Sequence, residues 1–383
     1  MDGLITMKRV NNLYNRICDI DTIINMYDKV VRVNTRNKYK IEKFNNYYSI
    51  NIYKIKDILC SKKYIPDRYN IFIIKEPKYR IIMSQKIKDK IINYLVSHYF
   101  LVYVFDKKLI NENTATRVGK GTHYALKLFK KYYNKYKNKY NKFYILKIDI
   151  SKYFYNIDHG IVKNIIKRYI KDKDVLNILN NIIDSTDEDY VNNKINKLKD
   201  NEINRIINSN IKDKDKRILE INNLPLYNRG KGFPIGNMSS QIIATLYLNE
   251  IDKYIKYNLK IKEYVRYQDD LILFNEDKEY LKYCFKEIEK LLNKYKLKLN
   301  KKSKIYSSNE VIEFLGFKFI NKNRIIMKVS NKTKNKFKIK MKLNYESYDK
   351  YRSVRDSYKG HLSYGSCGSL MYRNINSYWT KMP

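Results

Sequence analysis

The chain has 383 residues, and 79 Lys plus Arg against 39 Asp plus Glu give a formal net charge of +40. A surface that basic repels itself unless a polyanion neutralises it, so nucleic acid or an anionic surface is the expected partner. Hydrophobic residues at 44% exclude a disordered basic tail, and 11 Gly with 5 Pro exclude collagen-like and linker-rich architectures.

Residues 8–60 read mostly helical, on apolar spacing at Leu13, Ile17 and Ile20 and again at Ile52, Ile55, Ile58 and Leu59. In YNIFIIKEPKYRIIM (69–83) two β-rich runs flank Glu76-Pro77-Lys78, which predicts a hairpin with a basic tip. Helices follow over 86–105 and 122–137. RVGKGTHYAL (117–126) is a loop opening the second of these. Its glycines and Arg117 suit a phosphate at a helix N-terminus, although Walker spacing is missing. FYILKIDI (143–150) is almost continuously apolar and reads as a buried strand ending in Asp149.

Helical signal resumes over 159–184. Residues 185–230 are polar, with a weak core pattern at Ile203, Ile206, Ile207, Ile218 and Leu219, and read as a partly helical insertion. PIGNMSSQIIATLYLNEIDKYI (234–255) is a loop followed by a long amphipathic helix. EYVRYQDDLILF (263–274) places two β-runs around Gln268-Asp269-Asp270, hence a hairpin. A helix over 277–296, a β-pair over 311–320 centred on Gly316 and a very basic helical tail from 328 complete the chain. No internal repeat is present.

No apolar run is long enough to span a membrane, and MDGLITMKRV has no apolar signal core, so a cytoplasmic protein is expected. Cys18, Cys60, Cys284 and Cys367 form no CxxC pair and are expected as reduced, buried thiols. His123 and His159 have no metal-site companions in the sequence and read as structural or phosphate contacts. Lys, Asn, Ile and Tyr share A/T-rich codons, so part of the basicity reflects codon composition. The 39 Tyr interleaved with basic residues fit stacking on unpaired bases.

The chemistry lies in three carboxylates. Asp149 ends one predicted strand, and Asp269 and Asp270 sit at a predicted hairpin turn. If those strands are neighbours, the carboxylates converge. Hard Mg²⁺ takes carboxylate and phosphate oxygens. Two such ions, about 3.5–4 Å apart, serve nucleotide polymerisation by activating a 3′-hydroxyl and stabilising the pyrophosphate. An Asp-Asp pair in a turn is usually just solvated; the joint pattern carries the signal.

The ordered blocks LKIDISKYF (146–154), GFPIGNMSSQ (232–241), YQDD (267–270), LKLNKKSKI (297–305) and EFLGF (313–317) resemble the motifs of the reverse transcriptases over roughly residues 45–320. The resemblance implies an α+β right-hand polymerase. Residues 1–142 would be an N-terminal helical region and fingers. Residues 143–320 would be a palm with a ferredoxin-like antiparallel sheet and an insertion at about 185–230. Residues 321–383 would be a short helical thumb.

The implied ligands of two Mg²⁺, with Mn²⁺ as a substitute, are Asp149, Asp269, Asp270 and the carbonyl of Ile150. Phe154 would be the steric gate against a 2′-hydroxyl. Ile235 and Gly236 would lie along the dNTP, Gln241 near the template base, and Lys302 by the pyrophosphate. Lys75 and Arg80 would clamp the triphosphate, Arg as a fork and Lys as a point charge. Tyr267, Gln268, Phe314, Leu315, Gly316 and Arg117 would meet primer or template. Partners would be RNA template, DNA primer or cDNA and dNTPs, with an accessory protein or a homo-oligomer as further options.

The Ile-Gly-x-x-x-Ser-Gln form of the second motif (Ile235 to Gln241) is similar to bacterial enzymes of diversity-generating retroelements and defence-associated groups. The segment 357–374 also resembles the thumb end of those enzymes. No ribonuclease H, integrase, HNH or retron-type Asn-Ala-x-x-His pattern is found. The reading favours anti-phage defence on a dedicated structured non-coding RNA. Mutagenic copying in a retroelement, template-independent or protein-primed synthesis, and a non-catalytic RNA scaffold stay open as alternatives.

Overall fold

The computed structural model describes residues 9–75, 78–322 and 325–367. The chain begins with α1 (Ile20–Met26), α2 (Lys38–Asn45), α3 (Tyr48–Cys60), β1 (Asn70–Lys75), β2 (Tyr79–Ser84), α4 (Ile87–Val96) and α5 (Tyr103–Phe105). Next come α6 (Thr122–Lys139), β3 (Tyr144–Asp149), α7 (Tyr153–Asn156), α8 (His159–Lys167), α9 (Lys173–Ile183), α10 (Asp189–Ile207) and α11 (Lys214–Asn222). Then follow α12 (Met238–Tyr247), α13 (Asn249–Lys253), β4 (Tyr264–Tyr267), β5 (Asp270–Asn275), α14 (Lys278–Lys294) and β6 (Lys304–Ser307). The last elements are β7 (Ile312–Phe314), β8 (Phe317–Asn321), β9 (Ile325–Val329), α15 (Asn331–Leu343) and α16 (Tyr348–Leu362). This mixture of helices and antiparallel sheets is α+β. No described helix is long and apolar enough to cross a membrane.

The chain forms two compact units. One takes in residues up to 110, 150–253 and 289–299; the other 111–149, 254–288 and 300 onward. In the first, β1 and β2 form the expected hairpin, with Ile71 opposite Met83 and Ile73 opposite Ile81. The hairpin's inner face, Tyr69, Ile71, Ile81 and Met83, shares a core with Val191, Ile195, Ile206, Ile221 and Leu224. The segment 185–230 is thus folded onto the hairpin through α10 and α11. The anticipated core positions are corrected in part, because Ile207 and Leu219 are exposed. Their helix faces turn outward, while Val191 and Ile195, one helical turn apart, turn in. Helix α12 is corrected too. It is buried on nearly every side, from Ser239 to Tyr247, rather than amphipathic.

In the second unit the four-stranded sheet has the order β4-β5-β3-β6. Strand, helices, two strands, helix, strand in sequence with this spatial order is the ferredoxin-like arrangement. Every pairing is antiparallel. An aromatic core of Phe129, Tyr133, Tyr136, Phe143, Phe274, Phe314 and Phe319 joins α6 to this sheet and to the smaller sheet β7-β8-β9. Phe337, Met341, Tyr351 and Leu362 of α15 and α16 extend the same core. β6 and β9 were not anticipated. β6 is a half-exposed sheet edge beginning at Lys304, and edge strands carry Lys to resist further pairing, which hides the strand pattern.

All four cysteines are free. Cys284 and Cys367 are buried as expected, Cys18 is half-buried, and Cys60 is exposed at the end of α3.

Candidate active site

The site is assembled by strand register in the second unit. β3 pairs antiparallel with β5, and Asp149 falls opposite Asp270. β5 also pairs with β4, where Tyr267 faces Asp270, leaving Gln268 and Asp269 as a two-residue turn. Gln268 holds φ +54°, a left-handed conformation that costs a non-glycine residue about 1 kcal/mol. The fold secures it twice. Arg266 Nη1 donates to the Gln268 carbonyl at 2.9 Å, and Gln268 Nε2 donates to Thr116 Oγ1 at 2.8 Å. The guanidinium of Arg266 is wholly buried. Its strand is fixed from the side, because Thr114 donates to the Arg266 carbonyl through both N–H and hydroxyl. Arg117 stands in this same loop and donates to the Asn113 carbonyl. Thr122, opening α6, donates to the Tyr267 hydroxyl at 3.3 Å.

Burial and a neighbouring carboxylate raise the proton affinity of Asp269 and Asp270. Burial, then the charge of Asp270, pushes the Asp269 carboxyl up to about 6; Asp149 adds to the rise and Arg266 opposes it. Burial also raises Asp270, against the Lys147 ammonium 3.8 Å away. Lys147 donates to the Glu313 carbonyl of β7 at 2.7 Å, which keeps it close to Asp270. Asp149 is held through its backbone. Its N–H donates to Ser303 Oγ at 3.0 Å, the Ser303 hydroxyl donates back to its carbonyl, and Asn300 N–H donates to that carbonyl at 2.8 Å. Oxygen-only donors carrying excess negative charge suit a hard divalent cation.

Lys302 is exposed in the turn that carries Ser303. Leu315 and Gly316 form the β7–β8 turn with φ of +47° and +84°, the twist-matched geometry of tight hairpins. Phe314 requires correction. Its ring is fully buried and stacks on Phe129, so the side chain packs beneath the turn rather than standing exposed to a primer.

The remaining expected residues lie in the first unit. Phe154 is half-buried on α7, and its carbonyl accepts from Phe233 N–H at 2.8 Å. The Ile235 carbonyl accepts from Met83 N–H of β2. Gly236, at φ +122°, brings its backbone up to Met83 and Ile82. Gln241 is exposed on α12, whose start is clamped by Asn93 through Ser239. Ile150, buried, pairs with Leu299. Arg80 pairs with Ile74 and Lys75 with Tyr79, so Arg80 and Lys75 occupy opposite faces of the hairpin. Arg80 shares its face with Ile82, which Gly236 approaches, whereas Lys75 lies over the Tyr79 ring.

Residues 73–319 match the family model of reverse transcriptases, RNA-dependent DNA polymerases. The chain belongs to the reverse transcriptase family. No curated protein matches it. The matched span runs from β1 into β8 and includes every motif block above. This reverse transcriptase is therefore an RNA-directed DNA polymerase, a nucleotidyltransferase, with the fingers and palm of that family. RNA template, primer and dNTPs are its substrates, and divalent metal is the family's general requirement.

Sequence reasoning missed Lys147, Arg266, Ser303 and Thr116, all of which set the carboxylates in place. It also left His159 without companions. The fold sets Asp184 and Asp187 beside it. His123 stacks on Tyr364 at 3.7 Å. Of the thumb-like segment 357–374, residues 368–374 lie outside the described residues.

Proposed function

We propose that Asp149, Asp269 and Asp270 hold two Mg²⁺ ions, with the Ile150 carbonyl completing the set, and that this site extends a primer with dNTPs. The observation that carries the reading is the register placing Asp149 against Asp270 beside the Asp269 turn. The raised proton affinity of Asp269 and Asp270 supports it, since metal-free carboxylates repel one another and a cation relieves them. When bound, the ions supply Lewis acidity toward the 3′-hydroxyl and the leaving pyrophosphate.

The protein's own residues position the reactants. Arg266 and Thr116 fix the Asp269 turn, and Ser303 fixes Asp149. Arg80 takes the triphosphate, with Lys75 at the far face contributing long-range charge. Lys302 serves the leaving pyrophosphate. Gly236 admits close backbone approach, and the Phe154 ring rejects a 2′-hydroxyl. Gln241 adjoins the template base, and Tyr267, Gln268, Leu315, Gly316 and Arg117 attend primer and template. Residues 1–142, 143–320 and 321–383 serve as fingers, palm and thumb.

The template we assign is a dedicated structured non-coding RNA, used in anti-phage defence within the cytoplasm. The Ile235–Gln241 motif form supports this, as does the α10–α11 segment, which adds surface to the hairpin. The test is to purify the protein from its native locus and sequence the RNA and DNA that accompany it. A single structured RNA with matching cDNA is expected. Low-complexity DNA without a matching template would replace the reading with untemplated synthesis, and random RNA without DNA would leave only a scaffold.

A further inference from the structure

We propose that His159, Asp184 and Asp187 form a second metal site, for a borderline divalent ion of the zinc type. The three residues lie in the first unit, and none of them has a role in the polymerase chemistry proposed above. Their ligand atoms all fall within 4.8 Å of one another.

The histidine decides the chemistry. His159 opens α8 and is 2% exposed. Its Nε2 lies 2.9 Å from the Gly232 carbonyl, which can only accept, so Nε2 carries the proton. In the neutral ring Nδ1 is then a bare lone pair. That atom is buried and makes no hydrogen bond, although Asp184 Oδ1 lies at 3.3 Å and Asp187 Oδ2 at 3.5 Å. A charge-assisted N–H···O bond would close to about 2.7–2.9 Å. Two ligands of one tetrahedral ion, each roughly 2.0–2.1 Å from it, instead stand about 3.3 Å apart. The two His159–carboxylate separations match that ligand spacing.

The outer atoms of each ligand are also tied down. Asp184 Oδ2 meets Lys163 Nζ at 2.6 Å, and Asp187 Oδ1 accepts from Gly230 N–H at 2.9 Å. The Gly232 carbonyl accepts from the Thr186 hydroxyl as well as from His159. Gly232 cannot be replaced cheaply, for a Cβ there would lie 2.8 Å from the Tyr227 ring. A ligating imidazole backed by a carbonyl, and carboxylates held at their second oxygen, form the usual support of a metal site. Imidazole with carboxylates suits zinc-type ions over Mg²⁺. Asp184, at 42% side-chain exposure, leaves a side open for a water ligand. The ion would join the start of α8, the chain after α9 and the Gly230–Gly232 backbone.

The experiment titrates Zn²⁺ calorimetrically into the full chain, freed of any affinity tag and stripped by chelation, with Mg²⁺ in excess. One Zn²⁺ per chain is expected at micromolar concentration or tighter. It should persist in the Asp149→Asn, Asp269→Asn, Asp270→Asn triple variant. Binding should weaken at least about 100-fold in His159→Gln. Because His159 is buried, Asp184→Asn and Asp187→Asn serve as near-isosteric checks, each expected to weaken Zn²⁺ and remove its Tm increase. Absence of uptake by the wild type, or equal affinity in the Asn variants, overturns the proposal.

Discussion

The two acidic clusters of this chain differ in what surrounds their carboxylates. In the second unit Asp149, Asp269 and Asp270 are oxygen donors only, with a fully buried Arg266 behind the turn and Lys147 beside Asp270. In the first, Asp184 and Asp187 flank a buried imidazole whose proton is fixed on the far nitrogen, and their cation is the partly exposed Lys163. The first arrangement holds excess negative charge for hard, phosphate-loving ions. The second offers one soft-leaning nitrogen with fixed oxygens, and suits a structural ion. Counting acidic residues would not separate them; the donor type and the outer hydrogen bonds do.

The sharpest way to break that contrast is to neutralise the oxygen-only cluster. Asp269→Asn with Asp270→Asn keeps shape and removes charge. DNA synthesis is expected to fall on the order of 10³-fold or more, with RNA binding and folding kept. Primer extension and gel-shift on the same preparation check it; full activity would remove Asp269 and Asp270 from catalysis.

The next effect concerns the buried cation. Arg266→Met leaves the Gln268 carbonyl without its donor and removes a charge that favours ionised Asp269, while Lys147 stays beside Asp270. Breaking such a buried arrangement costs about 3–5 kcal/mol. Urea unfolding should register that loss. A cost below about 1 kcal/mol would mean the turn is held by Thr116 alone.

These residues also mark how far the sequence could be read. Asp149 at a strand end and Asp269-Asp270 in a turn were legible because strand alternation and turn chemistry are local. The β7–β8 pair around Gly316 was legible for the same reason. Arg266 was present in the EYVRYQDD run, but its role depends on the Gln268 carbonyl and on loop 111–117, which join it only through folding. Ser303 looked like one polar residue in a Lys-rich run until it closed on Asp149. Arg80 and Lys75 read from the sequence as two flanks of one hairpin, and only the register assigned them to opposite faces. His159 gains its companions from the chain beyond α9, a distance that no local spacing rule spans. The inward face of α10 was misread because Val191 and Ile195 are too sparse among polar neighbours to reveal which stripe is buried.

A smaller effect separates the clusters by pH. The Asp269 carboxyl lies near 6 in the folded protein against 3.8 in the open chain. The folded state therefore holds the extra proton between about pH 4 and 6, and stability falls as pH rises through that window. The difference is on the order of 2–3 kcal/mol at neutral pH. In chelator, Asp269→Asn should raise Tm relative to wild type at pH 7.5 and show no gain at pH 4. A gain independent of pH would assign the effect to packing instead.

The smallest expected effect tests the other cation. Lys163 meets Asp184 at 2.6 Å, but their side chains are 26% and 42% exposed. Water already solvates both, so the pair contributes less than about 1 kcal/mol. Lys163→Met should shift the urea midpoint little, in contrast to Arg266→Met, and salt should shrink even that shift because exposed charges are screened. The two variants remove the same formal charge, and Arg266→Met also removes the donor to the Gln268 carbonyl, so the ratio of their effects reads burial and that bond together. If Lys163→Met cost as much as Arg266→Met, the first-unit cluster would depend on that ammonium as a permanent counter-ion, and the distinction drawn between the clusters would fail.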